Sequence, residues 1–302
     1  MQLTLRDFFM RINLVTGVGQ RTANACWRWL VIHPEVQIID SRVVTRLARE
    51  LDLNAVVTAA LQLELFSRDM NDTVTENLTH SGCLTIADAA YPEQLKETYA
   101  PPLALYFLGD LRRLNAPQLA VVGSRHPTNY ALRAMRLLLP DVVEHRVCLV
   151  SGLAQGVDTL THQVALAHRG TTIAVIGTGL DKCYPAANRA LMTTLAHHQL
   201  VLSEYPWGTK GARHHFPERN RIIAGLSQSV LVVEAAHHSG SLITANIALQ
   251  ENRNVLAVPG TIDGKNSVGT NELILAGAKP ILNSEHIMEE LLVDKLPSLE
   301  IP

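Results

Sequence analysis

Aromatic residues are scarce, with three Trp, six Tyr and five Phe among 302 residues. Any ring lying beside basic groups therefore stands out. Cysteine is equally sparse: Cys26, Cys83, Cys148 and Cys183 are far apart, form no C-x-x-C pair and sit among apolar or mixed neighbours. That pattern argues against a disulfide framework or a zinc site and for buried free thiols. Neither sign of charge is in excess, with 26 Lys and Arg against 28 Asp and Glu. A wholly basic nucleic-acid binder is thereby disfavoured, whereas a local basic groove is not. Long apolar runs are missing too, and none approaches the ~18 residues that span a bilayer. The opening MQLTLRDFFMRINL breaks its apolar positions with charge, unlike a signal peptide. The expectation is a cytoplasmic protein without membrane attachment.

The chain is long enough for a large domain and a small one. Apolar residues recur at helical spacing from Leu5 to Leu14, Ala23 to Ile32, Val43 to Leu53 and Val56 to Leu65. A small helical domain is expected over residues 1–80. Three prolines and a Gly-Asp turn in YAPPLALYFLGDLRRLNAPQ mark a linker and lead-in over 81–116. Over residues 117–292 the rhythm changes. Strand-length apolar runs (LAVVGS, VCLVSG, TIAVIGTG, LVLSEYP, SVLVVEA, VLAVPG) alternate with helical segments. Strands apolar throughout, separated by helices, predict a doubly wound, Rossmann-like α/β domain with a parallel sheet covered on both faces. Residues 293–302 read as a C-terminal tail. Gly17-Val18-Gly19 follows no strand and lacks a third glycine, so it is no dinucleotide fingerprint. It reads equally as the hairpin of a helix-hairpin-helix motif, whose turn can offer N–H groups to a DNA phosphate, and as a plain helix–helix turn.

Ligands of open α/β sheets bind outside the carboxyl ends of the strands, where strand order reverses. Small residues gather at those ends here: Gly123-Ser124-Arg125, Ser151-Gly152, Gly177-Thr178-Gly179 and Pro259-Gly260. They let backbone amides approach an anion closely. Arg125, Lys182, Arg189, Lys210, Arg213, His214 and His215 fall near the same edge. In FPERNRIIAGLS, Pro217 suits a first helical turn, which puts Arg219 and Arg221 near a helix N-terminus where the dipole disfavours cations. Either these arginines are solvated and incidental or an anion is meant to arrive, and arginine suits phosphate through its planar fork. Of the nearby rings, Trp207, between Pro206 and Gly208, is the better candidate to stack a base, and Phe216 reads as a staple for the helix. His237 and His238 are adjacent, so their side chains are expected to diverge, against metal binding. Asp158, His162, Glu204 and Glu234 assemble no nucleophile, base and orienter. The sequence points to no reaction, metal or cofactor.

Taken in order, VVGSR, SGLAQGVD, VIGTGLDKCYP, FPERNRIIAGLS, VVEAAHHSGSLITANIA and VPG resemble the DNA-processing protein A (DprA/Smf) family from about residue 84 to 284. The helical first part is similar to that family's small SAM-like domain. The resemblance implies a non-enzymatic protein that binds and protects single-stranded DNA, forms a homodimer and loads RecA recombinase during natural transformation and recombination. Carried over position by position, DNA contacts would fall to Gly123, Ser124, Arg125, Gly152, Phe216, Arg219, Asn220 and Arg221, with Ser239, Gly240, Ser241 and Thr244 lining the pocket. The dimer would use residues near Asn271 to Ile281. Many relatives place a basic residue after the Tyr-Pro that is here Tyr184-Pro185; this chain has Ala186, and Lys182 or Arg189 is expected to substitute. Many relatives also continue into a C-terminal winged helix, which this sequence is expected to lack. The alternative is a nucleotide-binding or nucleotide-processing Rossmann-like protein, such as a phosphoribohydrolase-like enzyme or a nucleotide sensor. VEAAHHSGSLITA lacks the P-G-G-x-G-T-x-x-E block of those hydrolases.

Overall fold

The computed structural model describes residues 2–292, so the tail expected at 293–302 lies outside the described residues. Met1–Phe107 with Glu204–Trp207 forms one compact unit; Leu108–Ser203 with the chain from Gly208 onward forms a second.

The smaller unit contains β1 (Leu3–Thr4), α1 (Leu5–Ile12), α2 (Gln20–Ile32), β2 (Ile38–Ile39), α3 (Ser41–Glu50), α4 (Ala55–Glu64), α5 (Arg68–His80), β3 (Gly82–Thr85), α6 (Glu93–Lys96) and β4 (Ala104–Gly109), whose last two residues pass into the larger unit. Thr4, Asp40, Asn54 and Ser67 each accept a hydrogen bond from an amide of the helix they open, satisfying donors that would otherwise be orphaned. Phe8, Ile12, Leu47, Leu61 and Leu65 are fully buried. Helix α5 buries only Met70, Val74 and Asn77, which is why its polar sequence carries little periodic signal. In the turn between α1 and α2, the Thr16 N–H donates to Glu64 Oε2 at 2.8 Å. A phosphate arriving there would meet a carboxylate already holding that amide, so the geometry fits a plain helix–helix turn. Within the stretch read as a linker and lead-in, β3 and β4 pair antiparallel from Gly82↔Phe107 to Thr85↔Ala104.

The larger unit runs β5 (Gln118–Val122), α7 (Asn129–Glu144), β6 (Cys148–Ser151), α8 (Val157–Ala167), β7 (Thr172–Ile176), α9 (Arg189–His198), β8 (Leu200–Ser203), α10 (His215–Leu226), β9 (Ser229–Val232), α11 (Gly240–Gln250), β10 (Asn254–Ala257), α12 (Val268–Leu275), β11 (Lys279–Pro280) and α13 (Ser284–Leu292). Its strands are parallel in the order β11-β10-β9-β5-β6-β7-β8. This is the doubly wound sheet expected from the sequence. The chain leaves β5 toward β8 and returns to β9 on its other side, so strand order reverses between β5 and β9. Right-handed crossovers then place α7, α8 and α9 on one face and α10, α11 and α12 on the other. Leu119, Val121, Leu149, Val157, Leu231 and Leu256 are fully buried in the core. The four cysteines are free thiols, and burial pushes those of Cys26, Cys83 and Cys148 up to about 12, which leaves them inert.

The turn from β6 into α8 depends on Gly156, which has φ 89° and ψ −127°, a region open essentially to glycine. A Cβ there would collide with the Ser124 carbonyl and stand 2.7 Å from that of Arg125. Gly156→Ala is expected to cost about 1–3 kcal/mol in urea unfolding. A variant as stable as the parent would contradict this steric account.

Candidate functional site

Between the carboxyl ends of β5 and β9, at the reversal of strand order, opens a cleft of about 620 Å³. Its walls come from Gly123, Ser124 and Arg125 after β5, Tyr184 after β7, Arg213 and Phe216 at the entry to α10, and Ser239 to Thr244 at the start of α11. Small residues keep the walls close: a Cβ on Gly123 would lie 2.7 Å from Val157 Cγ2 and 3.1 Å from the Glu234 carbonyl oxygen. Ser239 opens α11 without a side-chain cap, and its hydroxyl lies 2.8 Å from that of Ser241. Helix amides, hydroxyls and arginines together form an anion-ready surface.

Beneath the cleft lies Arg219, only 4% exposed. Its Nη1 donates to the Val175 carbonyl near the end of β7, and its guanidinium fills the space that a Cβ on Gly152 would take. Asp158, in the first turn of α8, accepts the Ala154 N–H at 3.2 Å. Burial lifts the Asp158 carboxyl above its ordinary range, opposed by the positive charge of Arg219. The Val175 carbonyl thus meets part of the arginine's hydrogen-bonding demand inside the protein. Arg125 and Arg213, by contrast, stand exposed at the rim. Neither forms a salt bridge among the described residues.

The structure gathers Gly123, Ser124, Arg125, Phe216, Arg219, Asn220, Ser239, Gly240, Ser241 and Thr244 around this one cleft. Gly152 lies under it, against Arg219. Lys182, Arg189 and Arg221 do not line it. Lys182 pairs with Asp181 at 2.6 Å, Arg189 is exposed at the start of α9, and Arg221 is half-buried two residues beyond Arg219, a spacing that points helix side chains apart. Ala186 begins a short 3₁₀ turn and is also outside the lining, so neither Lys182 nor Arg189 restores a cleft cation in its stead.

One alternative falls and two expectations need correction. The alternative that Arg219 is a solvated, incidental cation falls, because the helix turns it inward against the strand ends. Trp207 is not in the cleft: its ring stacks on His80, with centroids 4.5 Å apart, and its backbone N–H donates to Asn77 Oδ1. The cleft's rings are Phe216 and Tyr184, 5.2 Å apart and tilted by 45°. Tyr184 escaped sequence reasoning, although an aromatic in the loop that follows a strand of the parallel sheet was a usable signal. The adjacent His237 and His238 do not diverge. With His238 at φ 57° their rings approach to 3.8 Å, and His237 Nδ1 sits 3.2 Å from Glu272. Among the described residues no group of three His, Cys, Asp or Glu is placed to hold a metal, and no helix is long and apolar enough to cross a membrane.

Fold and cleft together define a Rossmann-like α/β protein with an arginine- and hydroxyl-lined cleft at its topological switch point. The family model described as DNA recombination-mediator protein A matches residues 82–292, and the chain belongs to that family. It is 44% identical over 206 residues to DNA processing protein DprA of Streptococcus pneumoniae, covering 68% of this chain and 73% of that protein. It is also 44% identical over 212 residues to protein Smf of Synechocystis, covering 69% of this chain but only 53% of that one. The X-ray structure of the pneumococcal protein matches with a TM-score of 0.85 at 33% identity, over 96% of this chain and 99% of that one. A structure of DNA processing protein A from Helicobacter pylori, described as giving insight into a unique single-stranded DNA binding mode, matches with a TM-score of 0.64 at 30% identity. It covers 72% of this chain and 98% of that one.

The buried layer near Arg219 also contains His162. The Thr172 hydroxyl donates to the Leu149 carbonyl at 2.7 Å, so His162 Nδ1–H donates to the Thr172 oxygen at 2.7 Å and Nε2 carries no proton. Burial lowers the His162 imidazole from 6.5 to about 3, and the charge of Arg219 adds to the effect. Stability held by the neutral ring is therefore complete above pH 6.5 and is lost as pH falls toward 3. Between pH 7 and pH 5 this group is expected to cost about 2 kcal/mol, as the unfolded chain alone takes up the proton. The difference in unfolding free energy between those pH values should shrink by about that amount in His162→Gln. An equal pH dependence in both proteins would contradict the assignment.

Proposed function

We propose that the cleft binds single-stranded DNA without sequence preference. The observation that carries this reading is the pairing, at one switch point, of two exposed arginines with two aromatic rings over a floor of small residues. Arg125 and Arg213 suit backbone phosphates. The exposed ring of Tyr184, 58% accessible and packed on Phe216, offers a base a face to stack on. Asn220, Ser239 and Ser241 supply polar groups for a base edge or sugar. Membership of the DNA recombination-mediator protein A family and the single-stranded DNA binding described for the H. pylori relative support the same reading.

In this role the protein protects incoming strands in the cytoplasm and hands them to RecA recombinase during natural transformation and recombination, without catalysing a reaction. It acts as a homodimer through the region from Asn271 to Ile281. There Leu275 is 90% exposed at the end of α12, and among the described residues β11 has a strand partner on one side only. An unpaired strand edge beside an exposed leucine suits a second copy of the same surface.

The test is fluorescence anisotropy of labelled oligo-dT and a matching duplex across a salt series, with free nucleotide as competitor. Tight, salt-sensitive binding of the single strand is expected. Preference for a mononucleotide, bound or hydrolysed, would favour a nucleotide sensor or phosphoribohydrolase-like enzyme instead. Arg125→Ala with Arg213→Ala is expected to reduce the slope of log affinity against log salt by about 1.4, two contacts at ~0.7 each for single strands. Tyr184→Ala should weaken binding by about 1–3 kcal/mol with little change in that slope. Unchanged binding in both folded variants would remove the cleft from the reading.

A further inference from the structure

A second cavity of about 450 Å³ opens at the same sheet edge, beyond the loop that carries Arg125. The cleft's wall at Gly123 to Arg125 continues to Thr128 in the second cavity. Asn266 Nδ2, from the loop after β10, donates to the His126 carbonyl at 3.2 Å and ties the two loops together. One strand could therefore pass from the first cavity to the second along the 123–128 segment.

The lining chemistry divides into a rim and a floor. Arg133 on α7 and Lys265 on the loop after β10 are exposed, and neither forms a salt bridge among the described residues. At the floor, Glu234 is 3% exposed and accepts from both the N–H and the hydroxyl of Thr128, so the carboxylate is fixed in place. Ser267, 7% exposed, adds a buried hydroxyl. Tyr130 is held by its hydroxyl on the Pro259 carbonyl at 2.5 Å and remains 40% exposed. A buried carboxylate repels phosphate from the floor and accepts N–H or O–H donors, whereas the rim cations attract phosphate. The complementary ligand has an anionic backbone and a donor-bearing apolar ring, which describes a nucleotide.

We infer that this cavity is a second nucleotide subsite, which takes the next stretch of a single strand already held in the first cleft. Phosphates rest on Arg133 and Lys265, a base lies over Tyr130, and a base N–H or sugar hydroxyl reaches Glu234. The inference rests on the proposed single-strand reading of the first cleft and extends it.

The experiment compares oligo-dT of about 5 and about 20 nucleotides, lengths that bracket common single-strand site sizes, on the native chain and on Arg133→Ala with Lys265→Ala. Both side chains are exposed, so the double variant keeps the fold. The short oligonucleotide should bind both proteins alike. The long one should bind the double variant roughly tenfold more weakly, with a salt slope smaller by about 1.4. Equal long-strand affinity and slope in the two proteins would overturn the subsite while leaving the first cleft in place. An equal loss with both lengths would overturn it too, placing these cations in the first cleft. Failure of the native chain to bind either strand, with thymidine monophosphate bound instead, would overturn the single-strand reading and the subsite together.

Discussion

A guanidinium has been drawn out of water at the carboxyl end of a parallel sheet, and its surroundings are arranged to tolerate it. Arg219 can lie there because Gly152 has no side chain, because the Val175 carbonyl accepts one of its N–H groups, and because Asp158 supplies a counter-charge from the first turn of α8. A buried charge is costly unless hydrogen bonds and a nearby opposite charge offset it. The glycine turn at Gly156 serves the same end, since it brings the start of α8, and Asp158 with it, under the cleft.

This arrangement divides labour among the arginines. Arg219 holds α10 against the strand ends and shapes the floor, while Arg125 and Arg213 present their charge to the solvent. That division is compatible with the near-neutral composition of the chain, with its formal net charge of −2. Affinity for a polyanion does not need a basic protein; it needs a few cations left unanswered around a concave surface. The aromatic poverty of the sequence is compatible with the proposed reading in the same way, since Tyr184 and Phe216 both line the cleft.

The doubly wound fold was legible because fully buried parallel strands must be apolar throughout, and LAVVGS, TIAVIGTG and SVLVVEA are. The small residues at the strand ends were legible for a related reason: a β-branched or bulky residue there would occlude the edge. Direction of side chains was not legible. Nothing in the letters Arg-Asn-Arg tells that Arg219 turns inward and Arg221 sits apart from the cleft, because that depends on which turn of α10 crosses which strand. The places of Trp207, outside the cleft, and Phe216, inside it, were not legible for a similar reason. His80 belongs to a helix with little periodic signal, so the partner of Trp207 was invisible. His237 and His238 approach because of one positive φ, a backbone choice that adjacent histidines do not advertise. Of the stretch read as a linker, the part from Gly82 to Gly109 contains two strands, since its prolines punctuate the hairpin and do not abolish it.

The central claim is that single-stranded DNA lies in the cleft at the β5/β9 switch point, against Tyr184 and Phe216. The most direct test is photo-crosslinking of oligo-dT carrying 4-thiothymidine, followed by mass-spectrometric mapping of the adducts. The account predicts adducts on Tyr184 or Phe216 and on the segments around Arg125 and Ser239, suppressed by excess unlabelled single strand. Adducts confined to the smaller unit or to the α12 surface, with the cleft residues unmodified, would contradict it.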